Sequence, residues 1–393
     1  MIAAAASVVA ASCGSSPSTS HTSTSSTSTT ATSTTPTQAT TTTEPTTTSQ
    51  ATSTTTQATT TTTTLTGGWT EARLLAQLIM IGGTFSDIAA SAPAVRDGAG
   101  GVVFLGLPPV GSGPLIKRGL AQLESGAATP LLTATDEEGG GIARLTNVIG
   151  AIPWPRQMAT TMTPYQVKSL MTSQGAAMLA LGIDMDLAPV LDTANINDTI
   201  DVENERSFSE NGHIAAEYGL AFIAGLRDGG VVAVAKHFPG LGHANGDTDL
   251  GPATDPRISK LKHDDLIPFQ AAINAAVQAV MMSNVIEPTW GSVPASLNPA
   301  AYRYLRSMGF AGMIITDSLD AGAITHVGDT GPQAVAKAIE AGADMAMMTT
   351  PSDFPAALGD LEQAVSSGQL SMTHVQASVQ RILELKKGIV LPK

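Results

Sequence analysis

The glycine-rich stretch KHFPGLGHANGDTD, residues 236–249, places a lysine, two histidines and two aspartates within one loop's length. Groups of these types either move protons or sit solvated. A histidine titrates near neutrality unaided, and an aspartate does so once a neighbouring charge raises it. Further polar groups end other apolar runs. Asp136, Glu137 and Glu138 precede Gly139–Gly141, Asp192 closes another run, Asp317 follows Thr316, and Thr349 and Thr350 close the last. Two carboxylates from different strands, without a metal-ligand cluster, point to glycoside or acyl chemistry with a paired acid and nucleophile. The seven histidines show neither HxH nor HExxH spacing, so neither a catalytic metal nor another cofactor is expected. The absence of GxSxG removes the usual serine-hydrolase reading.

These groups need a scaffold that brings strand ends together. From Trp69 onward eight short apolar runs occur: QLIMIGG, GGVVFLG, PLLTATD, DMDLAPVLD, VVAVAKHF, AVMMSNV, GMIITDS and DMAMMTT. They lack polar alternation, as strands buried on both faces do. Helical segments lie between them. In IPFQAAINAAVQAV the apolar face is Phe269, Ile273, Ala276 and Val277, and Gly229–Gly230 mark a helix stop. The alternation predicts an α/β fold, a single (β/α)8 TIM-like barrel, whose strand C-termini converge on one mouth. A doubly wound open sheet is the runner-up. It lacks the expected glycine-rich phosphate turn after the first strand.

The barrel domain is expected over 67–393. Residues 14–66, nearly all Ser and Thr with scattered Pro, Ala and Gln, are too polar to offset the entropy of ordering and are expected to be a disordered tether. Residues 1–13 form a short apolar stretch ending in Cys13, the single cysteine, which excludes an intrachain disulfide. Small residues before a lone Cys resemble a bacterial lipobox. This implies lipidation at Cys13, export, and a lipid-anchored place in the cell envelope. The net charge of −13 argues against nucleic acid as a partner and against electrostatic docking on anionic lipid. Membrane contact is therefore expected only through the anchor, and the chain is expected to be a monomer.

TDEEGGGIARL at 135–145, APVLD at 188–192, ERSFS at 205–209, KHFPG at 236–240 and ITDSL at 315–319 occur in one order along the whole folded part. They resemble the glycoside hydrolase family 3 β-N-acetylglucosaminidases, the single-domain bacterial NagZ type, in the exported lipoprotein form found in mycobacteria. The resemblance implies a TIM-like barrel, retaining hydrolysis, and a terminal β-linked GlcNAc substrate. It assigns Asp317 as nucleophile, with Asp136, Arg144, Arg206, Lys236 and His237 as substrate-binding residues. Glu137 stands where the family usually has Gln and receives no role: it is either solvated or paired with an arginine. Asp184 and Asp192 are read as mouth structure. Asn284 is weighed as a substrate contact, and Trp69, Trp154 and Trp290 as a sugar platform or, more simply, as core and rim packing.

The family's proton donor is a His in Asp-Ser-His, polarised by the preceding Asp, on a mobile loop. Here that tripeptide reads Asp247-Thr248-Asp249, and Leu241 replaces a further family His. Three readings follow. Asp249 is the acid/base with Asp247 as its partner; His243 swings in from the same loop; or no strong acid exists, turnover is slow, and activated leaving groups or phosphate are needed. The function expected is release of terminal GlcNAc from peptidoglycan-derived fragments through a covalent glycosyl-enzyme. The alternatives are a β-glucosidase-type family 3 hydrolase and a surface sugar-binding lipoprotein with weak or no turnover.

Overall fold

A computed structural model describes residues 68–194 and 203–388. Cys13 and the Ser/Thr-rich segment lie outside the described residues. Eight parallel strands form the sheet: β1 (Ile79–Thr84), β2 (Gly101–Leu105), β3 (Leu132–Thr135), β4 (Met185–Asp186), β5 (Val232–Phe238), β6 (Ala279–Met282), β7 (Met313–Thr316) and β8 (Ala346–Met348). Each pairs with its successor in sequence from β1 to β7. β8 returns to β1 with Ile79 opposite Ala346, and an Ile315–Met345 bridge joins β7 to the segment entering β8, so the ring closes. This is the (β/α)8 barrel expected.

The strands are buried along almost their whole length, which suits runs without polar alternation. β4 is the shortest departure from expectation. DMDLAPVLD keeps only two residues in a ladder, because its register against β5 then slips: Val232 N donates to Asp184 O, but Val234 N donates to Ala188 O. The chain stays extended beyond it, with Leu187 N donating to Thr135 O at 2.9 Å and Val190 bridged to Lys236, so Asp192 still arrives at the mouth.

Helices cover the ring. Gly212–Asp228 stops at Gly229, with Gly230 at φ +86°, where the sequence predicted an end. The helix in IPFQAAINAAVQAV is shorter than its apolar period suggested. It spans Leu266–Asn274, and Ala276 adopts φ 57° to turn the chain into β6, so only Phe269 and Ile273 lie on the helix. At the N-terminal face, Asp344 accepts from Arg306 (2.7 Å), Arg381 (2.8 Å), Ser378 (2.9 Å) and Ile314 N (2.8 Å). That network ties the last helix, Met372–Gly388, to β7, at the end of a barrel that serves stability rather than chemistry. No helix among the described residues is long and apolar enough to cross a membrane.

Candidate active site

A cavity of about 430 Å³ opens at the C-terminal ends of the strands. Of the residues singled out from sequence, Asp136, Arg144, Arg206, Lys236, His237, Asp247, Asp249 and Asp317 all line it, and His243 does not. The turn after β3 delivers Asp136 and a short antiparallel hairpin, Glu137–Gly139 with Ile142–Ala143. Arg144 follows the hairpin, and its backbone N–H donates to Asp136 O at 3.0 Å. Arg144 Nε is buried and has no hydrogen-bond partner among the described residues.

The floor is an ion lattice centred on a residue to which the sequence reading gave no role, Glu138. Its carboxylate receives Arg206 through Nε at 2.8 Å and Nη2 at 2.9 Å, and Lys236 Nζ at 2.6 Å. Lys236 also reaches Asp136 Oδ1 at 2.7 Å. Burial alone would raise Glu138, but Arg206 and Lys236 outweigh it and hold the carboxyl well below its ordinary range. Burial works against the Lys236 charge too; Asp136 and then Glu138 more than reverse it and push its pKa above its ordinary value. Glu138 was visible in the sequence only as the third acid of a run. Its signal was two cations ending other segments, which need a buried counter-charge.

His237 is set by Asp192. Nδ1 donates to Asp192 Oδ2 at 2.6 Å, while the other oxygen accepts from the backbone N–H groups of His237 (3.0 Å) and Leu241 (2.9 Å). Burial opposes protonation of His237, yet Asp192 outweighs it and raises the imidazole. Nε2 is left facing Arg206 Nη2 at 3.4 Å. Asp192 thus orients a cavity residue from behind.

Asp317 sits at the end of β7. Its backbone N–H donates to Met282 O at 2.8 Å, and its Oδ1 accepts from Ser318 N at 2.7 Å. Asn284 supports this turn from below, donating to Ser318 O at 2.7 Å while accepting from Ser296 Oγ at 2.6 Å. Asn284 is buried and absent from the cavity wall, so the substrate contact weighed for it is replaced by a framework role.

The loop after β5 brings Asp249 to the open rim. Burial against the wall, then the charges of Asp317 and Asp247, raise its carboxyl above the ordinary value. Asp247 Oδ1 accepts from Asp249 N at 2.9 Å. His243, by contrast, points Nδ1 at Asp265 Oδ1, 2.8 Å away. The loop is fastened rather than loose. Leu241 is bonded to Asp192, Asn245 and Thr254 are bonded across the loop, and Thr254 bridges to Ile286.

One further expectation changes, and for the tryptophans the simpler of the two readings holds. Glu137 is neither solvated nor paired with an arginine. It is fully buried, accepts from Leu145 N at 2.8 Å and Gln174 Nε2 at 3.1 Å, and burial pushes it up to about 7. No tryptophan lines the cavity. Trp154 lies over Gly140, where a Cβ would fall 1.9 Å from the indole, and Trp290 packs on Tyr304, so both serve packing.

A closed parallel barrel with carboxylates at the ends of different strands and a cation lattice at the mouth suits glycoside hydrolysis. Residues 75–385 match the glycosyl hydrolase family 3 N-terminal domain, and the chain belongs to that family of glycoside hydrolases. β-Hexosaminidase LpqI of Mycobacterium tuberculosis is 38% identical over 276 residues, covering 68% of this chain and 71% of LpqI. The solved structure of a family 3 glycosyl hydrolase from Mycobacterium smegmatis superposes with TM-score 0.75 at 35% identity, over 81% of this chain and 97% of that one. A family 3 β-N-acetylglucosaminidase from Paenibacillus sp. superposes with TM-score 0.75 at 30% identity, over 82% of this chain and 63% of that one.

Proposed function

We propose that the chain is a retaining β-N-acetylglucosaminidase that removes terminal GlcNAc from peptidoglycan-derived fragments. The observation that carries this reading is the pairing of Asp317 and Asp249 on one cavity, near enough for the first to raise the second. In the first step an Asp317 oxygen bonds to the anomeric carbon as the glycosidic C–O bond breaks. The leaving oxygen takes the proton of Asp249. In the second step water attacks the same carbon, gives its proton back to Asp249 and releases the Asp317 carboxylate. Asp247 fixes the Asp249 turn. His243, held by Asp265 away from the wall, is the weaker candidate for the acid.

Asp136, Lys236, His237, Arg206 and Arg144 bind the sugar in this reading. A carboxylate held by Lys236 pairs with vicinal hydroxyls, and the unpartnered Arg144 Nε offers a donor that a ligand oxygen satisfies. The sequence supports three segments, a lipobox remnant at 1–13 with lipidation at Cys13, a tether at 14–66 and the barrel at 67–393. They would present a monomeric enzyme at the exported face of the envelope, where GlcNAc-MurNAc fragments are the substrates. Incubation with a 2-deoxy-2-fluoro glycosyl donor should trap a covalent adduct on Asp317, and Asp317→Asn should lose essentially all turnover of aryl GlcNAc. A label on another side chain, or full activity in Asp317→Asn, would end the proposal.

A further inference from the structure

We infer that Gly322 is a positioning residue for the acid/base, a gap in the β7 loop that lets the Asp249 backbone lie against it. The inference rests on the reading of Asp249 as the acid.

The β5 loop does not hang free above the mouth. Gly322 N donates to Asp249 O at 3.0 Å, and Ala323 N donates to Thr248 O at 2.9 Å. These amides open the short helix Gly322–His326, five residues after the nucleophile. The loop bearing Asp249 is therefore strapped to the element that follows Asp317. Thr248 is buried in the seam, while Asp249 stands at the rim.

The seam admits no side chain at 322. A Cβ there would fall 2.5 Å from Leu250 C, 2.6 Å from Leu250 O and 2.8 Å from Asp249 O. All three are backbone atoms, so no rotamer change relieves the collision. The backbone at Gly322 is outside the left-handed region, so glycine is required by space and not by φ. Alanine must push Asp249 and Leu250 outward while leaving residue 322's own conformation allowed. The loop has fixed ends, at the Leu241–Asp192 bond and at the Thr254–Ile286 bridge. The displacement is thereby concentrated on the middle, where the acid sits. A shift near 1 Å costs on the order of 100-fold in a positioned group's contribution.

The test uses the full chain, Gly322→Ala and Asp249→Ala, with an alkyl-type leaving group (GlcNAc-MurNAc) and an activated one (2,4-dinitrophenyl β-GlcNAc). The activated leaving group departs without a proton. Gly322→Ala is expected to lose roughly 10- to 100-fold in kcat/KM on GlcNAc-MurNAc and less than about 3-fold on the dinitrophenyl substrate. Azide, a nucleophile that needs no base, should raise kcat of Gly322→Ala on the dinitrophenyl substrate and yield the β-glycosyl azide. In the wild type, hydrogen exchange at the Gly322 and Ala323 amides should be slow, a readout that does not depend on the variant folding. Equal losses on both substrates, no loss on GlcNAc-MurNAc, or exchange at the rate of open-loop amides would overturn the inference. If Asp249→Ala shows the leaving-group dependence and Gly322→Ala does not, the strap alone fails. If Asp249→Ala does not show it, the acid assignment fails and the strap with it.

Discussion

Replacing Glu137 by Gln, the residue the family usually carries there, should stabilise the barrel, by an amount that grows as pH rises from about 4.5 to about 7 and is then constant. Glu137 is fully buried and its carboxyl is raised by burial from 4.5 to about 7, while the Leu145 and Gln174 hydrogen bonds and the Arg144 charge pull it only part of the way back. The unfolded chain gives up this proton near its ordinary value. Between the two values the native state therefore holds more protons than the unfolded state, so stability falls as pH rises through that window. At about 1.4 kcal/mol per pKa unit, the full cost of ionising Glu137 in the folded chain is about 3 kcal/mol above pH 8. Gln keeps the volume and an oxygen for Leu145 N, carries no proton to lose, and needs only a flip of the Gln174 amide. Urea unfolding of wild type and Glu137→Gln should separate the midpoints at pH 8 by the equivalent of about 3 kcal/mol, narrowing to under about 1 kcal/mol at pH 5. Burial also raises Asp184 to about 7 and raises Asp186, so some pH dependence remains in the variant. Parallel stability curves for the two proteins, or a variant weaker at pH 8, would show that Glu137 ionises without cost and refute the reasoning.

Glu138→Gln should do the opposite and damage both stability and binding. Leaving Lys236 and Arg206 short of a buried counter-charge costs about 3–5 kcal/mol, seen as a melting temperature lower by roughly 6–10 °C, with a raised KM for aryl GlcNAc; an unchanged melt and KM would refute it. Because Glu138 is held below its ordinary value, its contribution is present above pH 4.5 and is lost only in strong acid, so acid inactivation near pH 4 must come from other groups. If Asp249 is the acid, it serves only while protonated, and its raised carboxyl should place an alkaline limb on kcat/KM for poor leaving groups. Asp249→Asn should abolish that limb, and its survival in the variant would assign the proton to another residue.

The fold was legible because its signal is redundant. Eight runs without polar alternation can be buried on both faces in only a few ways, and a parallel ring satisfies all of them. The candidate site was legible where a side chain at a strand end itself lines the cavity, as those of Lys236, His237 and Asp317 do. It was illegible where the role lies in a contact between distant segments. Glu138 reads as one more acid until Arg206 and Lys236 close on it, Asn284 reads as a substrate contact until its bond to Ser318 O is found, and Gly322 draws no notice until the Asp249 backbone is seen lying against it. The same distinction bears on the acid. Type and spacing in HANGDTD leave His243 and Asp249 equivalent, since both lie within one flexible-looking loop. They differ in the structure because Asp265, at the start of the Leu266–Asn274 helix, takes up the His243 ring, while two amides of the β7 loop fix the backbone next to Asp249. A loop strapped in this way does not need to swing a donor into place. The residue that replaces the family histidine is a shorter side chain, and a short side chain can serve only if the backbone already stands close to the bond being broken.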